Sequence, residues 1–183
     1  MLTPNFSPFP EIKTDRLMLR RIVKEDAPAL LFLRSSEMVM QYIDKERAKV
    51  LEDVLALVQL FEEGLETNNG ITWAISLAGE PETLIGTIGF WRIIKQHHRA
   101  EIGYMLHPSF WGKGIMKEAI QSVLQFGFKN LHLHSVEAHI NPDNIASAAI
   151  LERTGFVREA YFKEDFYFRG EFRDSAIYSL LYK

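Results

Sequence analysis

The first part of the chain changes from a strand-like to a helix-like spacing of hydrophobic residues. After a Pro-rich lead over residues 1–10, Leu17, Leu19 and Ile22 are surrounded by arginines at 16, 20 and 21, which predicts a first strand. Asp26 then stands where a helix N-cap is expected, with Pro28 in the first turn. A second helix is predicted from apolar residues at helical spacing, namely Val50, Leu51, Val54, Leu55, Leu57, Val58, Phe61 and Leu65.

The next part of the chain has the pattern of strands. Apolar and polar residues alternate over residues 71–77, and residues 84–94 form a long apolar run. Residues 100–106 form a third strand, which ends before Pro108. Because short polar turns separate these three segments, they predict an antiparallel meander.

The remaining elements alternate between helix and strand. Helical spacing from residue 115 to residue 124 is followed by a strand over 133–140 and a short helix over 144–153. The aromatic segment 156–181 predicts two strands joined by a turn at Arg169-Gly170. The predicted order βααβββαβαββ implies an α/β (α+β) fold, a mixed and mostly antiparallel sheet of about seven strands with helices on both faces.

Composition limits the class of protein and its chemistry. The chain has 183 residues, 47% of them hydrophobic, and a net charge of -3, which predicts one globular domain over residues 1–183. Without a signal peptide, a membrane-spanning run or a basic cluster, a cytoplasmic protein with no membrane or nucleic-acid partner is expected. The absence of cysteine excludes disulfides, thiolate metal sites and a cysteine nucleophile, so oxygen and nitrogen groups must carry the chemistry.

The most distinctive motif is a glycine turn between a predicted strand and a predicted helix, His107-Pro108-Ser109-Phe110-Trp111-Gly112-Lys113-Gly114-Ile115. Its two glycines leave backbone N–H groups free at a helix N-terminus, which predicts a phosphate-bearing ligand. Gly114 occupies the Ser/Thr position of a Walker A loop, and Lys117 occupies the third Gly position of the dinucleotide fingerprint. A tight turn with glycines for conformation alone is the alternative.

Four motifs follow one another in a recognisable order. They are Thr14-Asp15-Arg16-Leu17-Met18-Leu19-Arg20; Glu101-Ile102-Gly103-Tyr104 with His107-Pro108 and the glycine turn; Asn141-Pro142-Asp143-Asn144 through Ser147 to Gly155-Phe156; and Asp174 with Tyr178-Ser179-Leu180-Leu181. Together they resemble the GNAT superfamily of N-acetyltransferases, specifically its RimJ/RimL-like group of ribosomal-protein N-acetyltransferases. The resemblance covers nearly the whole chain. One departure is Ser109, where Gln or Arg is often found.

This resemblance implies acetyl-CoA as the co-substrate, with no metal. The expected pyrophosphate ligands are the N–H groups of Trp111, Gly112, Lys113, Gly114, Ile115, Met116 and Lys117. The pantetheine arm is expected along the strand edge at Tyr104, Met105 and Leu106, where this strand and the one at 133–140 splay apart. The resemblance also implies that the N–H of Leu106 polarises the thioester carbonyl. Asn144 is expected to cap its helix and to bind the pantetheine.

Glu101 is the candidate general base. Deprotonating an α-amine near pH 7 costs about 1 to 1.5 kcal/mol, whereas a lysine side chain costs over ~4 kcal/mol, so a base assists in both cases. Glu101 lies on the strand expected to meet the pantetheine, at a position where similar enzymes often carry a base. The alternative is a strand carboxylate that is exposed or paired with Arg92 or Arg99.

Ser147 is the candidate that assists departure of the thiolate. A thiol has a reference pKa of about 8.5, so a weak proton donor is sufficient. Many GNAT enzymes use a Tyr four residues before the Gly-Phe pair, but Leu151 occupies that position here. Ser147, three residues after Asn144, is the expected replacement; the alternative is an ordinary serine on an Ala-rich helix.

Other residues admit a structural interpretation as well as a functional one. His132, His134 and His139 do not predict a metal site, because strand alternation puts His139 on the opposite face from the other two. Trp111 is expected to pack rather than to react. Six aromatic residues near the C-terminus either line an acceptor pocket or form strand core: Tyr161, Phe162, Phe166, Tyr167, Phe168 and Phe172.

The leading hypothesis is direct transfer of an acetyl group from acetyl-CoA to a primary amine, foremost a protein N-terminal α-amine. Without cysteine, no covalent enzyme intermediate is expected. The alternatives are a small-molecule amine acceptor (a polyamine, amino sugar or antibiotic), a non-catalytic acetyl-CoA-binding module, or an enzyme acting on nucleotide phosphates.

The acceptor side of the site is expected to lie between residues 35–67 and residues 161–172. Acidic residues in these segments either favour a cationic acceptor or form a solvated face: Glu46, Glu52, Glu62, Glu63, Glu66, Glu164 and Asp165. The aromatic C-terminal hairpin packs within the subunit or against a second copy, so a monomer and a homodimer both remain open.

Overall fold

The computed structural model describes residues 1–182, so the last position of the expected 1–183 domain lies outside the described residues. The elements in chain order are β1 (Ile12–Lys13), β2 (Leu17–Arg21), α1 (Ala27–Ser35), α2 (Glu37–Met40), α3 (Leu51–Glu66), β3 (Ile71–Leu77), β4 (Gly86–Ile94), β5 (Arg99–Leu106), α4 (Ile115–Lys129), β6 (Ser135–Ile140), α5 (Ile145–Arg153), β7 (Val157–Phe168) and β8 (Glu171–Leu181). The predicted order is confirmed, with β1 and α2 as two short additions. Both elements are too short for a hydrophobic periodicity to be recognised in the sequence.

All eight strands form one sheet, in the order β1-β2-β3-β4-β5-β6-β8-β7. Neighbouring strands are antiparallel except β5 and β6, which are parallel because the chain crosses over through α4 between them. The predicted mixed, mostly antiparallel α/β sheet is thus confirmed. Among residues 1–182, no helix is both long enough and apolar enough to cross a membrane.

Helices cover both faces of the sheet, as the element order predicts. Alternation along β3 sends Trp73 and Ile75 into the core that includes the buried side of α4, whereas Ala74 faces α1 and α3. The Pro-rich lead over residues 1–10 is also part of the packed structure. Its Leu2 and Phe6 are buried, and the Pro10 carbonyl accepts a hydrogen bond from Trp73 Nε1 at 2.7 Å.

Asp26 precedes α1 as predicted, but its side chain does not cap the helix. The buried carboxylate accepts hydrogen bonds from the Arg20 guanidinium at 2.7 and 2.8 Å, and another from the Val23 N–H at 2.9 Å. Asp26 therefore ties the start of α1 to β2. The helix begins where the sequence predicts because Pro28 suits its first turn, while a partner on β2 takes the carboxylate.

β7 and β8 form a long hairpin with the predicted turn, in which Arg169 and Gly170 have φ values of 52° and 88°. The prediction of aromatic strand core is wrong for Tyr161, Phe162, Phe166, Tyr167 and Phe172, which are exposed. The neighbouring strand β6 pairs only with residues 176–181 of β8. Most of these aromatic residues lie on the part of the hairpin beyond that pairing.

Candidate functional site

The centre of the candidate site is a split between the parallel strands β5 and β6. Their pairing covers three residues of each strand and ends at the pair Glu101 and Glu137. Beyond Glu101, the rest of β5 stays paired with β4 but not with β6. The splay that the resemblance implies is therefore present, and it begins immediately after Glu101.

Alternate backbone groups of β5 point into this split. The His107 N–H donates to the Ile85 carbonyl at 2.8 Å, so His107 is a hydrogen-bonded position of the β4–β5 ladder. The next pair, Gly86 and Leu106, is therefore a non-hydrogen-bonded pair. Antiparallel alternation then directs the N–H and C=O groups of Tyr104 and Leu106 away from β4. The Leu106 carbonyl accepts from Trp111 Nε1 at 2.8 Å, which leaves the Leu106 N–H facing the split.

Met105 and Trp111 do not direct a free backbone group into the split as Tyr104 and Leu106 do. In the same alternation the backbone of Met105 pairs with Thr87 of β4, and its side chain packs with the α1 and α3 core. The strand edge at Met105 therefore offers no backbone group to a ligand in the split. Trp111 has a structural contact through its indole, and its half-exposed ring borders the same loop.

The loop before α4 presents backbone donors at the positive end of a helix. Gly112 and Gly114 have φ values of 71° and 74°, which L residues rarely adopt. Gly114 is the N-cap of α4 without a side-chain cap, and the Glu118 N–H is the donor to the Gly114 carbonyl, at 3.2 Å. The N–H groups of Ile115, Met116 and Lys117 precede this first helical bond and so have no intrahelical acceptor.

Arg16 clamps this loop from the N-terminal side. Its Nη1 donates to the Lys113 carbonyl at 3.0 Å, and its Nε donates to Glu118 at 2.6 Å. The Thr14 hydroxyl donates to the same Glu118 carboxylate at 2.6 Å. Sequence reasoning did not assign Arg16 to the site; the Thr14-Asp15-Arg16 motif was the available signal. A half-exposed guanidinium thus lies beside the predicted phosphate-binding amides.

Glu101 lies where the split opens and is buried, with 6% of its surface exposed. Its carboxylate pairs with Arg92 at 2.9 Å, and the same guanidinium lies 3.3 Å from Glu137. Burial raises the pKa of Glu101; His139 and Arg92 oppose that rise, and Glu137 adds to it. Glu101 is therefore paired with Arg92, as one alternative held, and also has the raised pKa that suits a base.

Glu101, Glu137 and His139 place their ligand atoms within 4.8 Å of one another. Arg92 and Arg99 already pair with the two carboxylates, so this cluster has balancing charges without a metal. Of the three histidines considered from the sequence, only His139 belongs to this cluster. His132 and His134 precede β6.

Tyr104 of β5 and Ser147 of α5 contact each other beside the split. Their hydroxyl oxygens lie 2.8 Å apart; Ser147 is buried and Tyr104 is partly buried. The Asn144 Oδ1 accepts from the Ser147 N–H at 3.0 Å, so Asn144 caps α5 as predicted. Burial raises the pKa of Tyr104 to about 12, and the phenol therefore stays protonated at neutral pH. Sequence reasoning assigned Tyr104 to the cofactor strand but missed its contact with Ser147.

The two candidate proton-transfer groups lie on opposite faces of the sheet. Strand alternation places Glu101, Gly103 and Met105 towards α1 and α3, whereas Tyr104 packs with the α4 core. The split joins the two faces, because β5 and β6 no longer pair there. A group held in the split is therefore accessible to a carboxylate from one face and to two hydroxyl groups from the other.

A cleft of about 180 Å³ lies between the two segments expected to border the acceptor. Arg169 and Arg173 of the hairpin pair across it with Glu46 and Asp44. None of the acidic residues noted in these segments from the sequence lines the cleft. The lining consists of Glu37, Met40, Gln41, Ile43, Lys45, Arg47, Phe168, Arg169 and Arg173.

Comparison with known proteins gives a consistent family assignment. The model of the acetyltransferase (GNAT) domain matches residues 16–157. The chain is 36% identical to the uncharacterized N-acetyltransferase YoaA of Bacillus subtilis (strain 168), over 94% of this chain and 97% of that protein. It is 25% identical to the spermidine N(1)-acetyltransferase of Vibrio cholerae serotype O1, over 87% of this chain and 89% of that protein.

A solved structure extends the likeness to a coenzyme A complex. RimL, a ribosomal L7/L12 alpha-N-protein acetyltransferase in complex with coenzyme A, has a TM-score of 0.85 with this chain at 25% identity. The match covers 94% of this chain and 98% of RimL.

Proposed function

This chain belongs to the GNAT acetyltransferase family and is an N-acetyltransferase, and on that premise we propose that it acetylates the α-amine of a protein or peptide N-terminus, using acetyl-CoA. The observation that carries the proposal is the split between β5 and β6, with Glu101 on one face and the Tyr104–Ser147 pair on the other. The likeness to RimL, which acts on a protein α-amine and binds coenzyme A, supports this acceptor class.

The residues around the split fit acetyl-CoA. The amides of residues 112–117 lie at the positive end of α4 and suit a pyrophosphate. The N–H and C=O of Tyr104 are directed to pair with pantetheine amides as a neighbouring strand would. Asn144 uses its Oδ1 for the cap, so its Nδ2 remains able to donate to the same arm.

Acetyl-CoA, when bound, supplies an acetyl group activated as a thioester. Glu101 accepts the proton that the acceptor nitrogen loses as its bond to the carbonyl carbon forms. The Leu106 N–H donates to the carbonyl oxygen, where negative charge develops. An α-amine needs about 1 to 1.5 kcal/mol for deprotonation near pH 7, a demand that a single carboxylate with a raised pKa is able to meet.

Tyr104 and Ser147 stabilise the sulfur that leaves as the carbon–sulfur bond breaks. Complete proton transfer from a phenol of pKa about 12 to a thiolate of reference pKa about 8.5 would cost about 5 kcal/mol. The pair therefore acts as hydrogen-bond donor during bond breaking, and the proton balance closes with the one removed from the amine. Arg92, which bridges Glu101 and Glu137, keeps the base from being protonated too readily.

Two alternatives remain as tests of this proposal. A small polyamine acceptor is supported by the likeness to the spermidine N(1)-acetyltransferase of Vibrio cholerae. A non-catalytic acetyl-CoA-binding module would not need a buried carboxylate and two hydroxyl groups around one opening in the sheet.

The test is release of free coenzyme A thiol from acetyl-CoA with α-amino peptides, polyamines and amino sugars as acceptors, with mass spectrometry of each product. We expect peptide turnover, and we expect Glu101→Gln to lower kcat/KM by about 100-fold or more. The wild-type rate rises with pH as Glu101 loses its proton, above the usual carboxylic-acid range, and the variant lacks that rise. Glu80→Gln is the matched control on an exposed turn. Binding of acetyl-CoA without turnover of any acceptor would contradict the proposal.

A further inference from the structure

The charged side chains that line the cleft between α2 and the hairpin are mainly cationic. Lys45, Arg47, Arg169 and Arg173 line it, against the single carboxylate of Glu37. Glu37 is 89% exposed and lies 3.8 Å from Arg47, which is a loose ion pair. Asp44 and Glu46 pair with Arg173 and Arg169, and Glu171 lies 3.8 Å from Arg173 Nη2, but none of these three carboxylates lines the cleft. The surface that a ligand would meet therefore carries a positive excess.

The two hairpin arginines are held in place around one aromatic ring. Arg169 and Arg173 each have the guanidinium carbon 5.2 Å from the centre of the Phe168 ring. Arg169 donates Nε and Nη2 to Glu46, and Arg173 donates Nη1 to Asp44. Each guanidinium has further N–H donors beyond these bonds, so both retain donors for a carboxylate.

Lys45 connects the cleft to the candidate base. It has no ion-pair partner among residues 1–182, and its Nζ lies 5.5 Å from the centre of the Trp91 ring. Trp91 in turn packs on β5, where a Cβ at Gly103 would lie 3.4 Å from the indole Cδ1. Gly103 and Glu101 share one face of β5. A single indole therefore separates the unpaired ammonium from the strand that carries the base.

The register of the sheet places the hairpin side of the cleft on the same face of the sheet as Glu101. Glu137 pairs with Glu101 on one side and with Ser179 on the other, so these three side chains share a face. Arg173 is six residues from Ser179 on β8, and alternation returns it to that face. The cationic cleft and the proposed base are thus on the acceptor face of one sheet.

We propose that this cleft selects acceptors with carboxylates close to the reacting amine, and hence an acidic peptide N-terminus rather than a polyamine. The inference rests on the proposed function and adds the charge of the substrate. A cationic polyamine would be repelled by the unpaired Lys45 and, within residues 1–182, would find no free carboxylate beside the hairpin arginines, whereas the side chains of an acidic peptide would pair with Lys45 and with the remaining arginine donors. Each exposed ion pair is weak, but several together change KM by about tenfold.

The test compares peptides that share an N-terminal Ser and differ in residues two to four, which are all Asp, all Ala or all Lys, together with spermidine and free aspartate. We expect a KM about tenfold lower for the acidic peptide than for the Ala peptide, and higher values for the Lys peptide and spermidine. Raising the ionic strength should reduce the difference, because exposed charges are screened. Equal KM values, or a preference for the Lys peptide or spermidine, would overturn the inference.

Two substitutions on one loop distinguish an effect of the cleft from an effect of the protein's overall charge. Lys45→Gln is expected to reduce the acidic-to-neutral preference at least threefold. Lys49→Gln removes the same charge from the same loop outside the lining, and is expected to leave that preference unchanged. Equal effects of both variants would overturn the assignment to the cleft, and better turnover of free aspartate than of the acidic peptide would overturn the peptide assignment. Failure to acetylate any acceptor would contradict the proposed function itself, whereas turnover without charge preference contradicts only this inference.

Discussion

Tyr104 and Ser147 form a hydroxyl pair whose two members come from different elements. Tyr104 lies on β5 and Ser147 on α5, and their oxygens are 2.8 Å apart. Because the Tyr104 phenol has a pKa of about 12, it stays a donor over the whole range in which an amine acceptor is reactive. In the proposed reaction, the pair supplies the weak donor that the tyrosine at the Leu151 position provides in many GNAT enzymes.

The hydroxyl pair predicts non-additive effects of substitution. Ser147→Ala and Tyr104→Phe are each expected to lower kcat about tenfold, and the double variant is expected to lose little more than either single one. The reason is that each substitution already breaks the hydrogen bond between them. Steady-state kinetics at saturating acetyl-CoA measures this cycle, with Ser122→Ala on α4 as a control. Fully multiplicative losses would show that the two hydroxyl groups act independently.

Glu101 and Glu137 are neighbouring buried carboxylates held by arginines. Arg92 contacts both, and Arg99 pairs with Glu137. Two carboxylates at this separation disfavour each other's charge, and the guanidinium groups offset that repulsion. In the proposed mechanism, the half-exposed Arg92 keeps a carboxylate partner in Glu137 when Glu101 takes up a proton.

At the scale of elements, the contact between the N-terminal segment and α4 supports the loop that we propose to bind phosphate. Thr14 and Arg16 hold Glu118 of α4, and Arg16 also holds the Lys113 carbonyl. The loop has two glycines in a left-handed conformation and no side-chain cap, so it has few internal constraints. An external clamp therefore contributes order to the amides that face the ligand.

Removing the clamp is expected to weaken coenzyme A binding. Arg16→Ala should raise the dissociation constant about tenfold, since it removes both a loop contact and a positive charge beside the phosphates. The free energy of unfolding should change by less than about 1 kcal/mol, because Arg16 is half-exposed and an ion pair with an exposed partner contributes little. Titration calorimetry measures the affinity, with Lys13→Ala on β1 as control. Unchanged affinity in Arg16→Ala would rule out this role.

At the scale of the whole molecule, the sheet is joined at the candidate site by a short ladder. Within residues 1–182, the β5–β6 contact is the one parallel pairing and covers three residue pairs, whereas β4 with β5 and β6 with β8 pair over longer stretches. The two halves of the sheet are therefore joined across the site by a short ladder, the Glu137 ion pairs and the α4 crossover. A ligand in the split would add a further connection between the halves.

Ligand binding is therefore expected to stabilise the whole protein. Coenzyme A at about 100 times its dissociation constant adds about 2.7 kcal/mol to the free energy of unfolding. For a chain of this size, that corresponds to a Tm increase of about 5 to 10 °C in a thermal scan. ATP at the same concentration is the control, because the loop lacks the Walker A pattern. An equal increase with ATP would favour the nucleotide alternative.

Local sequence patterns were sufficient for the longer elements and for the residues proposed to act through their backbone, but not for the short β1 and α2. Three features depend only on neighbours in the chain: the helical spacing of α3 and α4, the meander, and the Arg169-Gly170 turn. They can therefore be predicted without knowledge of the fold. The glycine turn belongs to the same class, since its amides are free because of local conformation. Asn144 likewise caps its own helix.

Features that depend on distant partners were decided by the tertiary structure alone. Asp26 binds Arg20 on β2 instead of its own helix, and Tyr104 meets Ser147 across 43 positions of the chain. The cationic cleft combines residues near 45 with residues near 170, and the strand register decides that it shares a face with Glu101. Periodicity shows that an element has a buried face, but not which residues it meets. The sequence by itself therefore determined the longer elements, the glycine turn and the family resemblance, whereas the pairing of side chains across the split required the folded chain.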